Sequence, residues 1–112
     1  MAISLDLPYT LNFMLGAMTN RAKLEADVYD SGIESANLIM DIDALIQESK
    51  LTKKQAEVVR LYYYKQMTQE EVSNVLGISQ QAVLDHLNKI KDKLTKVIER
   101  WEKLDKSKFN NK

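Results

Sequence analysis

The sequence predicts an all-α protein: an N-terminal helical hairpin, then a two-helix unit whose second helix is long. Three observations predict it. Apolar residues recur at helical spacing through most of the 112 residues, and no stretch alternates with the period of a strand. Proline, glycine and capping residues stand where such helices would start and stop.

Pro8 suits the first turn of a helix running to about Tyr29, with Leu11, Leu15, Met18, Ala22, Ala26 and Tyr29 along one stripe and Gly16 as a weak point. Asp30-Ser31-Gly32 breaks it. A second helix, about Ile33 to Glu48, aligns Leu38, Ile39, Ile42, Leu45 and Ile46, so the two form an antiparallel hairpin with Met14, Met18 and Met40 filling its core. Asp41 and Asp43, two apart, point in different directions and read as solvated charges rather than an acid pair.

A third helix opens at Thr52, whose hydroxyl can cap the backbone while Gln55 reaches back to complete a capping box. Val58, Val59, Leu61 and Tyr62 give it an apolar side, and it ends near Lys65 to Met67. Tyr62, Tyr63 and Tyr64 cannot all face one way, so at least one is exposed or hydrogen-bonded at a helix junction.

The next spacing is chemically specific. Thr68 is a good N-cap, and Val72, Ser73, Leu76, Gly77, Ile78 and Val83 stand fourth, fifth, eighth, ninth, tenth and fifteenth from Gln69. Val72, Leu76, Ile78 and Val83 can wedge two steeply crossing helices, and small Ser73 lets the backbones approach. Gly77 can take the positive φ of a short turn. Ser79 then caps a second helix and turns its amides toward a phosphate or base edge. This is the pattern of a helix-turn-helix, and its partner is double-stranded DNA.

Beyond it, Val83, Leu87, Ile90, Leu94, Val97, Trp101 and Leu104 follow a seven-residue repeat that no glycine or proline interrupts. One helix from Gln80 to about Asp105 would be roughly 39 Å long. Its seam must be covered, so Leu87, Ile90, Leu94, Val97, Trp101 and Leu104 are assembly candidates. The cover is either the N-terminal hairpin or the same helix of another chain. Charge favours the hairpin: residues 1–50 carry eight acids against three bases, a balance of −5, and residues 51–112 carry +5. Lys91, Lys93 and Arg100 flank the seam as bases only. The expected divisions are 1–50 for the packing or oligomerisation hairpin, 51–96 for the DNA-binding unit, 97–106 for the extended helix and 107–112 for a disordered tail.

The segment LTKKQAEVVRLYYYKQMTQEEVSNVLGISQQAVLDHLNKIKDKL resembles the fourth, promoter-reading region of bacterial sigma factors and the sigma-like regulators of bacteriophages and prophages. The resemblance rests on Leu51-Thr52 with Gln55, Glu70-Glu71-Val72, Leu76-Gly77-Ile78-Ser79, and Val83 followed by Leu87, and spans residues 51 to about 96. It implies that the second helix reads a promoter element and that the domain contacts RNA polymerase. By position it implies that Ser79, Gln80, Gln81, Leu84, Asp85 and Asn88 face DNA. Here the chain departs from the family, whose reading helices are usually rich in arginine. Gln80, Gln81 and Asn88 can pair with adenine, Asp85 can accept from cytosine but repels phosphate, and Leu84 can touch a thymine methyl. The cations that neutralise phosphate must come from Lys53, Lys54 and Lys65 before the unit and Lys89, Lys91, Lys93 and Lys96 after it.

Other classes find little support. With no cysteine there is no thiolate nucleophile or thiolate metal site, and the single histidine, His86, lacks the partners of a catalytic or metal centre. No catalytic, metal or cofactor site is expected. The first twenty residues are interrupted by Asp6, Pro8, Thr10 and Asn12, which fits neither a signal peptide nor a membrane span, so a cytoplasmic setting in a bacterial or phage-infected cell is expected. The favoured function is a sequence-specific regulator of transcription acting as a homodimer or higher homo-oligomer. The alternatives are a sigma-like factor bound to RNA polymerase, a phage DNA-packaging recognition subunit, and a helical module that binds only protein.

Overall fold

The computed structural model describes residues 10–110, with side chains except at 29–31 and 105–110. The described residues form helices α1 (Leu11–Thr19), α2 (Arg21–Ser31), α3 (Ile33–Ser49), α4 (Lys53–Val58), α5 (Gln69–Leu76) and α6 (Gln80–Asn110), with no strand. A π-helical segment, Val59–Tyr64, continues α4. No helix among the described residues is long and apolar enough to cross a membrane.

Pro8, the expected first helical residue, lies outside the described residues. Thr10 instead caps α1, its Oγ1 accepting the Phe13 N–H at 3.1 Å. The single helix expected from Pro8 to Tyr29 is two, parted at Asn20 (φ −93°, ψ 14°). The break lets α1 lie against the π-helical segment and α6 while α2 pairs with α3. One continuous stripe cannot serve both surfaces. Met14, Ala17 and Met18 are buried accordingly, whereas Ala22 and Ala26 are exposed. The side chain of Tyr29 lies outside those described.

The corner between α2 and α3 falls at Gly32, where a β-carbon would collide with the Val28 backbone. Ile42 and Leu45 of α3 are fully buried, as the apolar stripe predicts. Met40 is not a core residue, however; it is 66% exposed, on the face of α3 turned away from the buried pair. Asp43 is likewise more than a solvated charge. Its carboxylate meets Arg21 at 2.8 Å and 3.4 Å, while Arg21 Nε reaches Glu25 at 3.1 Å and the guanidinium lies 5.1 Å from the centre of the Tyr64 ring. Hydrogen bonding to Asp43 holds the Arg21 guanidinium even more firmly charged than usual. This one half-buried cation ties α2 to α3 and to the π-helical segment.

In the π-helical segment the Lys65 N–H donates to the Arg60 carbonyl, five residues back, at 2.9 Å. The wider turn carries Val59, Leu61 and Tyr63 into the core while leaving Tyr62 and Tyr64 half-buried. Tyr62 and Tyr63 meet edge to face, 5.0 Å apart. The Tyr63 hydroxyl is buried and has no hydrogen-bond partner among the described residues. Burial pushes that phenol up from its ordinary value of 10 to about 12.

The C-terminal seam is covered from within the chain. Val83, Leu87, Ile90, Leu94, Val97 and Ile98 are buried with residues of α1, α3, α4 and the π-helical segment. At the far end Glu48 Oε1 accepts from Trp101 Nε1 at 2.9 Å and pairs with Arg100 at 3.4 Å. Leu104 is 59% exposed. The helix expected to stop near Asp105, with residues 107–112 as a tail, continues to Asn110; Asn111 and Lys112 lie outside the described residues. Its 31 residues give a rod of about 46 Å.

Two stability measurements check this packing. Leu94→Ala should lower the unfolding free energy by about 2–5 kcal/mol in denaturant titration, because the fully buried seam cannot collapse around the void. Tyr63→Phe should be neutral or stabilising by about 1 kcal/mol, since it removes an unsatisfied buried hydroxyl. Because the folded-state value of Tyr63 is the higher one, its contribution is intact below about pH 10 and falls as pH rises toward 12. Tyr63→Phe should lose that part of the alkaline decline.

Candidate nucleic-acid interface

Two capping boxes, one at each of two consecutive helix starts, set the frame of the site. The Thr52 hydroxyl accepts the Gln55 N–H at 3.1 Å and Gln55 Oε1 accepts the Thr52 N–H at 3.0 Å. Thr68 and Glu71 repeat the arrangement at α5, at 3.1 Å and 2.9 Å. Each box satisfies two backbone groups that a helix start leaves unpaired.

Helix α5 ends at Gly77, whose φ of 68° and ψ of 34° are left-handed. No atom would obstruct a β-carbon there, so the backbone conformation and not space requires glycine. The Ile78 N–H then donates back to the Ser73 carbonyl at 3.1 Å, which closes the turn. Val72, Ser73 and Val83 are buried and Leu76 and Ile78 half-buried, the arrangement that the wedge requires. Ser73 Oγ donates to the Glu70 carbonyl at 2.7 Å, so the hydroxyl is satisfied within its own helix. Ser79 caps α6, its Oγ accepting the Ala82 N–H at 3.0 Å.

From this cap α6 presents Ser79, Gln80, Gln81, Leu84, Asp85 and Asn88, all exposed. Gln80, Leu84 and Asn88 follow one another at four-residue steps along one stripe, and Gln81, Asp85 and Lys89 along the next. Lys91 returns to nearly the azimuth of Gln80 three turns further on. Leu84, 37% exposed, is the apolar member of the face. Gln81 Nε2 donates to Asp85 Oδ1 at 3.1 Å.

The lysines separate into different situations. Lys53, Lys54, Lys65, Lys89 and Lys91 are exposed. Lys96 is exposed and pairs with Asp92 at 3.4 Å. Lys93 is half-buried and donates to Gln55 Oε1 at 2.7 Å, so the first turn of α4 sits beside the middle of α6. Lys53 and Lys54 therefore lie some 20 Å along α6 from Gln80 and not next to it. The sequence marks Gln55 only as half of a capping box; its hold on Lys93, 38 residues away, is a tertiary contact with no local signal. His86 is half-buried, and among the described residues no three histidine or carboxylate side chains come together as a metal site would need.

A capped helix, a left-handed glycine turn, a buried wedge and a second capped helix with an open outer face define a helix-turn-helix protein. Residues 49–96 match the family described as Sigma-70, region 4, which spans both capping boxes and the turn. Over that segment the fold is a sigma region 4-like helix-turn-helix.

Among curated proteins, a UPF0122 protein of Ureaplasma parvum serovar 3 is 39% identical over 51 residues, covering 46% of this chain and 52% of the relative. A UPF0122 protein of Ureaplasma urealyticum serovar 10 is 37% identical over a stretch of the same coverage. The chain thus spans about half the length of the curated relatives it matches. No solved structure matches it.

The turn and its cap are separately testable. Gly77→Ala should cost about 1–2 kcal/mol in denaturant unfolding although space is free, because only the backbone conformation penalises it. Thr68→Ala should cost about 1 kcal/mol by loss of its cap.

Proposed function

We propose that this protein is a sequence-specific double-stranded DNA-binding regulator of transcription that inserts α6, from Gln80, into the major groove. The observation that carries the proposal is the outer face of α6. Six polar or apolar side chains stand exposed on the first turns of a helix whose opposite face is locked into the core. Gln80 and Asn88 offer the donor and acceptor pair that fits adenine, and Leu84 an apolar surface for a thymine methyl. Lys89 and Lys91, exposed on the flanks of that face, supply phosphate contacts near it, and Lys53 and Lys54 supply contacts further along α6.

One such module binds modestly, so the binding species is read as a homodimer. Its contact lies outside the seam residues Leu87 to Val97, which the chain itself buries. A protein that stays monomeric in sedimentation while bound to its preferred duplex would overturn the dimer.

A second reading is favoured by the match of residues 49–96 to sigma-70 region 4. In it the protein acts on DNA together with RNA polymerase, which supplies the affinity that an arginine-poor face lacks. Co-purification with the polymerase separates it from the first.

Selection from a random duplex pool tests the main proposal. The double variant Gln80→Ala, Gln81→Ala should bind the pool but lose the preferred sequence; retention of that sequence would refute the assigned face. Lys89→Ala and Lys91→Ala should each weaken every duplex alike and reduce the slope of log K against log salt by about 1.

A further inference from the structure

Helix α3 carries two seams, and the described chain covers one of them. Ile42 and Leu45 lie buried on the inner side, while Ile33, Asn37, Met40, Ala44 and Gln47 follow one another at steps of four, three, four and three along the outer side. No charged residue interrupts that outer seam, which is about 21 Å long at 1.5 Å per residue. Ile33 is 77% exposed and Met40 66%, the two most exposed large apolar side chains among the described residues. Small Ala44 lets another helix come close. An acid directly follows Ile33, Met40 and Gln47 in turn, so Glu34, Asp41 and Glu48 run along one flank at seven-residue steps, and Asp43 stands on the other. The helix holds no lysine or arginine. Arg21 meets Asp43 and Arg100 meets Glu48, whereas Glu34, beside the most exposed apolar residue, makes no ion pair among the described residues.

We propose that the outer face of α3 docks a basic amphipathic helix of another protein, its apolar stripe laid on Ile33 and Met40 and its lysines or arginines set along the flank of Glu34 and Asp41. The seam spacing fits a helix, because steps of four and three are what a second helix packs against. Charge sets the chemistry of that helix. Residues 10–50 carry seven acids against three bases, so this half of the molecule attracts cations. A second α3 does not fit, because a helix with acids and no base would set acid against acid along the flank. The face lies outside residues 49–96, and the inference stands apart from the DNA-reading role.

The probe is a synthetic helical peptide of three heptads with a leucine seam flanked by lysines, titrated against the chain by fluorescence anisotropy. Its controls are a twin with glutamates for lysines and a lysine peptide whose leucines are scattered off the seam. The wild type should bind the probe roughly tenfold more tightly than either control. Ile33→Asp and Met40→Asp, whose side chains stand in water and whose unfolding midpoints should not move, should each lower that affinity roughly tenfold by setting a charge in the seam. Glu34→Gln should weaken binding and make it less sensitive to salt. Val75→Asp, the same change at an exposed apolar residue of α5, should leave it unaltered. Equal binding of the two lysine peptides, or a loss with Val75→Asp as large as with Met40→Asp, overturns the proposal, because the chain then attracts cations without using the seam. Failure of the wild type to bind the probe overturns it as well. Sedimentation of the chain alone tests the remaining occupant: self-association that Met40→Asp abolishes would give the seam to a second copy, and the proposal would fail.

Discussion

Burial of one face of α6 is the constraint on which the rest of the structure depends. A 31-residue amphipathic helix cannot leave Val83, Leu87, Ile90, Leu94 and Val97 in water, and the N-terminal helices exist in this fold to cover them. Because the same helix begins at the helix-turn-helix, fixing the inner face also fixes the azimuth of the outer one. Gln80, Leu84 and Asn88 face outward because the residues between them are anchored. The orientation of the proposed reading face is thus a by-product of core packing.

Polar contacts refine what the seam begins. Lys93 reaches the same Gln55 oxygen that closes the first capping box, so the start of α4 is tied to the middle of α6. Glu48 holds Trp101 and Arg100 at the other end, and Arg21 joins α2, α3 and the π-helical segment through Asp43, Glu25 and the Tyr64 ring. Among these contacts one ion pair, Glu48 with Arg100, joins an acid of the N-terminal half to a base of the C-terminal half. Most are partly exposed and contribute little individually.

The face of α6 proposed to read DNA is unusual in its chemistry. Amides, one leucine and one carboxylate stand where guanidinium groups would give a strong attraction to phosphate. In the proposed role such a face would discriminate by hydrogen-bond pattern more than it attracts, and affinity would be gathered from lysines on the flanks, from a second subunit or from a larger assembly.

Much of this was legible in the residues, and the reason is locality. Both N-terminal capping residues, Thr52 and Thr68, the left-handed Gly77, the small Ser73 and the apolar wedge all act within one or two helical turns, so composition and spacing determine them. The heptad of α6 is equally local, and it demanded a cover without naming one. Tertiary structure decided the rest. The helix expected to run through Asn20 parts there and not at its weak point, Gly16, because α1 and α2 must lie on different surfaces. The turn at Val59–Tyr64 widens to bury Tyr63. Met40 is turned outward because Ile42 and Leu45 already fill the inner face of α3. The sequence by itself determined where helices start, stop and become amphipathic. Only the folded chain decided which apolar faces meet and which residues remain to face a partner, because burial is shared among segments distant in sequence.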